Sequence, residues 1–272
     1  MRPWRVIDYQ TNNAFENMAI DEAIYLETLK KQSPPTLRFY GWRPSAVSIG
    51  YFQDPRKEVN FHQCRISAVD VVRRLTGGKA VYHHDEVTYC LVCGQHEKIF
   101  PERIAETYEI ISRCLARGLS FLGISAALAP QEKKRAATDP DLQSCCFSVP
   151  SGHELLADGR KICGSAQTRG KGGFLQHGAL LLSFDPWVTA SLILSSPTPK
   201  QAAQLKKSVV GVNDLSPKPA TAEKVCEALR KGFVEELGID LANGTLTPSE
   251  KELSAQLVKK YRSDAWLWRQ ES

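Results

Sequence analysis

Apolar residues spaced three or four positions apart predict helices in several parts of the chain. Residues 12–31 combine this spacing with an asparagine suited to a helix N-cap and with a basic end. The same periodicity predicts helices over residues 103–122, 222–237 and 248–261. Helices are therefore expected at the beginning, in the middle and in the C-terminal part of the sequence.

Short runs of β-branched and aromatic residues predict strands between these helices. "TLRFYGW" and "AVSIGYF" flank residues 43–45, and we expect them to be neighbouring strands. Strand-like runs also lie on both sides of Thr76-Gly77-Gly78, and "FLQHGALLLSF" is another. "HELLADGRKICGSAQTR" predicts a hairpin, because Asp158-Gly159 between β-compatible runs favours a two-residue turn. Residues 130–150 are polar and aperiodic, which predicts a mobile loop.

The order of these elements predicts the fold class. Strands concentrated in the first two thirds, with helices around them, favour an α+β fold with a mixed, largely antiparallel sheet flanked by helices. The regular strand–helix alternation of a doubly wound parallel sheet is absent. We predict a main domain over residues 1–215 and a helical extension over residues 216–272 that packs on it.

Composition narrows the cellular setting. The chain has 272 residues, ample for a buried core, and 35 Lys and Arg against 30 Asp and Glu give a net charge of +5. This mild bias suits an acidic partner and does not require nucleic acid. The N-terminal residues do not follow the pattern of a signal peptide, and the longest apolar runs fall far short of the ~20 residues that cross a bilayer. We therefore expect a cytoplasmic protein with neither a nucleic acid nor a membrane as its partner.

The eight cysteines are spread along the chain, which argues against a disulfide scaffold. Cys64, Cys114 and Cys226 lie in helical patterns and are expected to be small buried hydrophobic residues. Cys90 and Cys93 lie in one strand-like run and should point to opposite faces of the sheet. His83 and His84 should likewise diverge, so we expect no metal site in either segment.

The second arm of the predicted hairpin contains a lysine, Lys161, close in sequence to unusually small residues. Strand alternation places on one, polar face Lys161, Cys163, Ser165, Gln167 and Arg169. It places on the opposite face Ile162, Gly164 and Ala166. A single lysine on a strand is usually only solvated. Gly164 and Ala166, however, are small enough to let a ligand or another backbone approach.

The stretch "RRLTGGK" at residues 73–79 contains paired glycines. Such a pair can leave backbone amides free to meet an oxyanion or a carbonyl group, or it can form a simple hairpin turn. It does not match a phosphate-binding loop, which needs another spaced glycine and a Ser or Thr after the lysine. Spacing alone leaves both alternatives open.

Three cysteines are candidate nucleophiles: Cys145, Cys146 and Cys163. A free thiol is only slightly ionised at neutral pH, so a nucleophilic cysteine needs a cation or a base beside it. Lys161 could supply either function. Serine-nucleophile chemistry has no comparable support, because the sequence contains no G-x-S-x-G motif.

Four segments carry a resemblance to a known family: "NMAIDEAI", "RRLTGGKAVYHHDEVTY", "CFSVPSGHELLADGRKICGSAQTR" and "LQHGALLL". Together they resemble the biotin/lipoate protein ligase (BPL/LPL) superfamily, and within it the octanoyltransferases of the LipM type. The likeness extends from about Trp4 to the C-terminal "KKYRSDAWLWR". It implies that residues 1–215 are a BPL/LPL-type catalytic domain.

The resemblance implies an acyl transfer that needs no cofactor and no metal. Octanoyl would pass from an acyl carrier protein to Cys146 as a thioester, and then to a lysine of a lipoyl-accepting protein. The acceptor would be the glycine cleavage H protein or a lipoyl domain of a 2-oxoacid dehydrogenase. In this type the acyl-carrying cysteine begins a "CF" pair fifteen residues before the lysine, which selects Cys146 over Cys145.

The same resemblance assigns the remaining site residues. Lys161 would lower the pKa of Cys146. The residues expected to bind the substrate are Arg74, Thr76, Gly77, Gly78, His83, Ser165, Gln167, His177 and Gly178. Because Cys163 is expected to share the face of Lys161, it could compete as a modification site. The basic "EKKR" at residues 132–135 could meet an acidic carrier protein, although a solvated loop is the simpler explanation.

Three other functions remain open. An ATP-dependent lipoate-protein ligase would use the same lysine without a cysteine, but many such ligases carry an accessory domain, and only about 55 residues follow Leu215 here. An amidotransferase would move octanoyl between two lipoyl-bearing proteins by the same cysteine and lysine. A protein that only binds lipoyl domains or acyl carrier protein would have no use for an activated thiol.

Overall fold

The computed structural model describes residues 4–31, 33–129, 154–216 and 218–269. The predicted loop at residues 130–150 lies outside them. The helices are α1 (Ala14–Leu29), α2 (Pro55–Glu58), α3 (Phe61–Ile66), α4 (Ile104–Ser120), α5 (Pro186–Ile193), α6 (Pro199–Ser208), α7 (Val212–Leu215), α8 (Ala222–Leu237), α9 (Pro248–Tyr261) and α10 (Asp264–Leu267). The strands are β1 (Trp4–Asn12), β2 (Thr36–Trp42), β3 (Ala46–Ile49), β4 (Asp70–Arg73), β5 (Val81–His83), β6 (Glu86–Gly94), β7 (Ala126–Leu128), β8 (Leu155–Ala157), β9 (Arg160–Gly170), β10 (Gly173–Leu181) and β11 (Leu241–Asn243).

Within the described residues, eight strands form one large sheet in the order β11-β1-β2-β6-β10-β9-β8-β7. Strand β1 pairs in parallel with β2 and β11. The other neighbours in this sheet are antiparallel. The α+β fold with a mixed, largely antiparallel sheet is therefore confirmed.

A small sheet of order β4-β3-β5 lies beside the large one. The expectation that "TLRFYGW" and "AVSIGYF" are neighbouring strands is wrong. Both edges of β2 are occupied, by β1 and β6, so the chain leaves the large sheet after Trp42 and β3 joins the small one. Strands β4 and β5 both pair with β3 rather than with each other. The loop with Gly77 and Gly78 between them is therefore no hairpin turn.

Each face of the large sheet is covered by helices. On the face that we call the α8 face, Tyr89 and Leu180 share a core with side chains of α4 and α8. On the opposite face, which we call the α1 face, Tyr40 and Cys90 share a core with side chains of α1 and α9. Helix α1 begins with a capping box in which the Asn13 side chain accepts a hydrogen bond from the Glu16 amide, in agreement with the predicted cap region.

Helices α4 and α8 approach each other at two glycines. A Cβ atom built on Gly232 would lie 2.3 Å from the carbonyl oxygen of Cys114 and 2.4 Å from the amide nitrogen of Gly118. No side chain fits at Gly232, so the backbones of the two helices are in direct contact. The division of the chain at residue 215 stays a prediction.

The predicted hairpin is present as β8 and β9. Asp158 and Gly159 both have positive φ angles, of 50° and 68°. These are the backbone conformations that a two-residue hairpin turn of the primed type requires. The sequence signal therefore identified both the turn and the strand that carries Lys161.

Candidate active site

A cavity of about 430 Å³, including its opening, lies between the large sheet, the small sheet and α1. Apolar parts of the wall come from Met18, Tyr40, Trp42, Val81 and Ala179. The other lining residues are Ser48, Arg74, Gly78, His83, Thr88, Gly164, Ser165, Ala166, His177 and Gly178.

Strands β9 and β10 present very small residues to this cavity. Gly164 and Ala166 pair with Ala179 and His177 on β10 and lie on the α1 face. The small size of these residues was the sequence feature that suggested close approach by a ligand. At Gly178 a Cβ atom would lie 2.6 Å from the Ser165 hydroxyl oxygen, so no side chain fits there.

The loop after β4 is held by the guanidinium group of Arg74. Its Nη2 donates to the carbonyl oxygens of Gly77 and Lys79, both at 2.8 Å. Gly78 has a φ of 91°, and a Cβ atom on Gly50 would lie 1.9 Å from the Gly78 carbonyl oxygen. The loop is therefore packed too closely for a side chain at Gly50 or Gly78. Within the described residues, Gly77 is absent from the cavity lining.

His177 links the cavity to a buried carboxylate on α1. Its Nε2 lies 2.7 Å from Thr76 Oγ1, and its Nδ1 lies 3.3 Å from Asp21 Oδ2. Asp21 also accepts hydrogen bonds from Arg38, at 2.6 Å, and from the Tyr40 hydroxyl, at 2.8 Å. Among the described residues Thr76 does not line the cavity; it lies behind the wall that His177 forms.

Burial and charge fix the protonation of this pair. Burial alone would raise the pKa of Asp21, but Arg38 and the hydrogen bonds from His177 and Tyr40 outweigh it, so the pKa lies below its usual value. Burial lowers the pKa of His177, and the hydrogen bond with Asp21 offsets this only in part. The carboxylate is therefore ionised and the imidazole neutral at physiological pH.

His83 forms a second unit of the same kind. Its Nε2 lies 2.7 Å from Ser48 Oγ, and its Nδ1 lies 2.8 Å from Glu86 Oε1. The ring stacks on Trp42 with centroids 4.0 Å apart, and Trp42 Nε1 also donates to Glu86 Oε1. His84 points elsewhere, to Ser45, which confirms that the two adjacent histidines diverge.

Lys161 lies on the α1 face, which corrects the sequence prediction. Leu155 and Ala157 point into the core of the α8 face, so Leu156 between them points the other way. Lys161 is the partner of Leu156 across the hairpin and shares its face. Lys161 thus lies on the side of Gly164 rather than that of Cys163.

A β-bulge explains the difference. The register between β8 and β9 shifts at Leu155/Leu156, so Ile162 is an extra residue, and Ile162 and Cys163 both enter the core of the α8 face. Strict alternation fails at this point. Lys161 is also not solvated: it is 1% exposed and forms an ion pair with Glu154, itself buried. Its role as part of a catalytic pair stays a prediction.

The expected competition by Cys163 is wrong for the same reason. This thiol is buried on the opposite face, and burial raises its pKa to about 12, so it is neither ionised nor accessible. Cys90 and Cys93 lie in the cores of opposite faces, as predicted. The predicted burial of the helical cysteines is also confirmed, for Cys64, Cys114 and Cys226.

Two of the predicted substrate-binding residues are engaged on the α8 face. The Ser165 hydroxyl lies 2.7 Å from the Tyr89 hydroxyl, although Ser165 also borders the cavity. Gln167 donates to Gln176 at 3.0 Å, and Gln176 donates to Tyr89 at 2.9 Å. The structure therefore brings Arg74, Gly78, His83, His177 and Gly178 together around the cavity and directs Gln167 away from it. Cys145, Cys146 and residues 132–135 lie outside the described residues.

Comparison with known proteins places this architecture in a family. The model of the lipoyl protein ligase A/B catalytic domain matches residues 13–234. An octanoyltransferase LipM of Kyrpidia tusciae is 41% identical over 274 residues, which cover 99% of this chain and 100% of that protein. The chain belongs to the lipoyl protein ligase A/B family. This confirms the resemblance found in the sequence motifs.

Other members of the family are similar over the same length. The octanoyltransferase LipM of Bacillus subtilis is 37% identical, covering 98% of each chain. Among solved structures, a lipoate-protein ligase A bound with ATP is 26% identical with a TM-score of 0.79, covering 98% of each chain. A bi-partite lipoate protein ligase from Thermoplasma acidophilum, studied with its E2 lipoyl domain, is 26% identical with a TM-score of 0.79 and covers 100% of this chain and 99% of that one.

Four buried polar residues of this lipoyl protein ligase A/B family member were not assigned a role from the sequence: Asp21, Ser48, Glu86 and Glu154. Asp21 lies in the quoted motif "NMAIDEAI", where a carboxylate in an otherwise apolar helix could have drawn attention. Glu154 lies two residues before Leu156, the partner of Lys161 across the hairpin, and could have been found by counting back from the turn at Asp158-Gly159. Ser48 and Glu86 both contact His83, and it is the fold of β3, β5 and β6 that brings the three side chains together.

No group of three or more His, Cys, Asp or Glu side chains in the part of the chain that the structure describes is placed to hold a metal ion. None of the helices described is both long and apolar enough to cross a membrane.

Proposed function

We propose that this protein is an octanoyltransferase of lipoate biosynthesis that carries its acyl group on Cys146. Octanoyl would move from an acyl carrier protein to the thiol and then to a lysine of a lipoyl-accepting protein. Similarity at 37–41% identity over nearly the full length to octanoyltransferases named LipM supports the acyltransferase activity. The thioester route and the identity of the donor are the further steps of the proposal.

The observation that carries the proposal is the position of Lys161. Its ammonium group is buried and lies on the sheet face that forms the wall of an apolar cavity. Such a wall suits a saturated acyl chain, which has no polar atoms to satisfy. A cation beside a cysteine favours the thiolate over the thiol, and we propose that the Lys161 ammonium group, which also pairs with Glu154, acts on Cys146 in this way.

The reaction then has two balanced steps. The Cys146 thiolate attacks the carbonyl carbon of the donor thioester, the carbon–sulfur bond to the donor breaks, and the donor leaves as a thiol after taking up a proton. The neutral amine of the acceptor lysine next attacks the carbonyl carbon of the Cys146 thioester, an amide forms as the carbon–sulfur bond to Cys146 breaks, and the amine proton goes to the released cysteine sulfur or to solvent. A thioester keeps its transfer potential, so neither step requires ATP.

The acceptor belongs to the lipoyl-accepting proteins. A solved family member was studied with its E2 lipoyl domain, which supports a lipoyl domain as the class of acceptor here. The glycine cleavage H protein and the lipoyl domains of 2-oxoacid dehydrogenases are the acceptors we propose to test. The cytoplasm remains the expected compartment.

Intact mass spectrometry tests the proposal directly. The protein is mixed with octanoyl-acyl carrier protein in the absence of ATP, and we expect one octanoyl adduct that hydroxylamine removes. In the Cys146→Ala variant the adduct and the transfer should both disappear, whereas the matched Cys145→Ala variant should keep most of both. Equal losses in the two variants would contradict the choice of Cys146.

An ATP-dependent lipoate ligase is the second candidate, and chain length does not argue against it. Both ligase structures match this chain over 98% or more of their own length, so the short C-terminal part does not separate the two activities. Lipoylation that requires ATP, with no adduct from the carrier protein, would favour the ligase. An adduct formed only from an octanoylated lipoyl domain would favour an amidotransferase.

A further inference from the structure

The cavity wall contains two matching hydrogen-bonded units that meet at one arginine. The first runs from Asp21 through His177 to the hydroxyl of Thr76. The second runs from Glu86 through His83 to the hydroxyl of Ser48. Arg74 donates to both hydroxyls, from Nε to Thr76 at 3.2 Å and from Nη1 to Ser48 at 3.1 Å. Each unit therefore consists of a carboxylate, a histidine and a hydroxyl, and both end on Arg74.

The direction of every proton in the first unit follows from its partners. Arg38 can only donate hydrogen bonds, and so can the Nε of Arg74. The ionised Asp21 can only accept, so Nδ1 of His177 carries the proton. Nε2 of the neutral ring must then accept, and Thr76 donates to it while accepting from Arg74. His177 is thus held in the Nδ1–H tautomer.

Arg74 connects these hydrogen bonds to the wall of the cavity. Its three nitrogens donate to Thr76, to the carbonyl and hydroxyl of Ser48, and to the carbonyls of Gly77 and Lys79. The guanidinium is therefore clamped between the two histidine units and the Gly77–Gly78 loop. A change in the tautomer of His177 reverses the hydrogen bond at Thr76, whose hydroxyl would then accept from both Arg74 and His177 and lose the acceptor for its own proton.

We propose that Asp21 is a positioning residue of the acyl cavity, which fixes the tautomer of His177 and, through Thr76 and Arg74, the Gly77–Gly78 loop. Asp21 does not itself line the cavity within the described residues. Its effect on the substrate is indirect and concerns how well the wall fits an acyl group. The tautomer of His177 does not depend on which reaction the protein catalyses, whereas the effect on catalysis rests on the proposed function.

The Asp21→Asn variant should change the tautomer of His177. Arg38 accepts no hydrogen bond, so the amide must turn its oxygen to Arg38 and its NH₂ group to His177. Nδ1 of His177 would then have to accept, and the proton would move to Nε2. Glu86→Gln is the matched control: Oε1 of Glu86 accepts from Trp42 and His83, while Oε2 has no partner in the described residues. The amide oxygen can stay in place there, and the tautomer of His83 should not change.

Nitrogen-15 NMR of histidine-labelled protein reads the tautomers directly. In the unmodified protein, which has six histidines, we expect His83 and His177 to show the Nδ1–H form. Asp21→Asn should convert the His177 signal to the Nε2–H form, and Glu86→Gln should leave both signals unchanged. An Nε2–H signal for His177 in the unmodified protein would overturn the proposal, whatever reaction the protein catalyses.

A second pair of variants avoids the buried ion pair of Arg38 and protects the test against a folding failure. Thr76→Val keeps the shape and removes the hydroxyl, so Nε2 of His177 and Nε of Arg74 lose their bond to it, whereas Thr76→Ser keeps the hydroxyl. We expect the KM for the octanoyl donor to rise about tenfold or more in Thr76→Val and to stay within about threefold in Thr76→Ser. The rate at saturating donor should change much less. Equal KM values in the two variants would show that the clamp does not position the cavity.

Discussion

The two faces of the large sheet bury their side chains equally well but differ in chemistry. On the α8 face, β9 and β10 meet apolar side chains of α4 and α8, and the polar groups there, such as Ser165, bond to neighbours within the sheet. On the α1 face the same strands line a cavity with small residues and His177, and β9 also carries the buried Lys161, which does not line that cavity within the described residues. One extra residue in β9, at the bulge, decides which of these environments receives Lys161. A single insertion thus places a cation on the cavity side.

The strongest way to break this comparison is to remove the buried cation. Lys161→Met should reduce octanoyl transfer by about a hundredfold or more, the range for a lost acid–base group. It should also lower the free energy of unfolding by about 3–5 kcal/mol, because Glu154 stays buried without its partner. Thermal unfolding and a transfer assay measure the two losses.

The double variant Lys161→Met, Glu154→Gln separates catalysis from stability. Removing both charges should restore much of the melting temperature, since a buried ion pair adds little net stability. Transfer should remain lost. Recovery of transfer along with stability would mean that Lys161 serves only the fold.

Two adjacent glycines sharpen the comparison within the cavity wall. Gly78→Ala should destabilise the protein by about 1–3 kcal/mol, because its φ is 91° and the new Cβ would lie 2.8 Å from Arg74 Nη2. Gly77→Ala is the control: a Cβ there would meet only the Phe52 ring, at 3.8 Å. Denaturant unfolding should therefore separate the two variants, and similar losses would contradict the packing of this loop.

The pH dependence of stability should report the buried imidazole of the α1 face. Because burial lowers the pKa of His177, the unfolded chain takes up a proton that the folded chain refuses, so stability falls as the pH drops below about 6.5. The lowered pKa of Asp21 adds a loss of the same sign at still lower pH. The other charged or titratable groups around the ring are Arg38, Tyr40, Arg74, His83 and Cys90.

Melting temperatures measured from pH 7.5 to 5 test this expectation. The slope for His177 is at most about 1.4 kcal/mol per pH unit. His177→Gln should give a shallower curve over the same range. An unchanged slope would show that this histidine does not gain its proton on unfolding.

The smallest effect is expected on the α8 face. Cys163 is buried with a raised pKa, so it should not react with a maleimide reagent in the native protein. Cys163→Ala should leave the rate of labelling unchanged. Peptide mapping should find rapid labelling at Cys145 or Cys146, and rapid labelling of Cys163 would contradict its placement.

Local sequence signals predicted local structure well. The capped helix α1, the helices α4, α8 and α9 and the hairpin at Asp158-Gly159 all depend on residues close together in the chain, and all are present. The motifs also identified the family and six of the residues that line the cavity: Arg74, Gly78, His83, Ser165, His177 and Gly178. These features could be predicted because caps, turns and periodicity act over a few residues.

Features that depend on distant partners could not be predicted. The position of β3 in a second sheet follows from the fact that β1 and β6 already occupy the edges of β2. The bulge has no local signature, so simple alternation placed Lys161 on the wrong face. The clamp at Arg74 joins residues from both sheets and α1, and only the fold brings them together.

The contact between Gly118 and Gly232 has a consequence for how the chain can be divided. The backbones of α4 and α8 touch, so the two helices pack in direct contact. Leu229 and Phe233 of α8 fill the same core as Leu115 of α4. Cutting the chain after residue 215 would remove α8 from its contact with α4. It would expose the apolar core beneath the large sheet, whose strand β9 carries Lys161. Helix α8, in the segment beyond residue 215, is thus part of the core beneath the large sheet and not an appendage that could be exchanged.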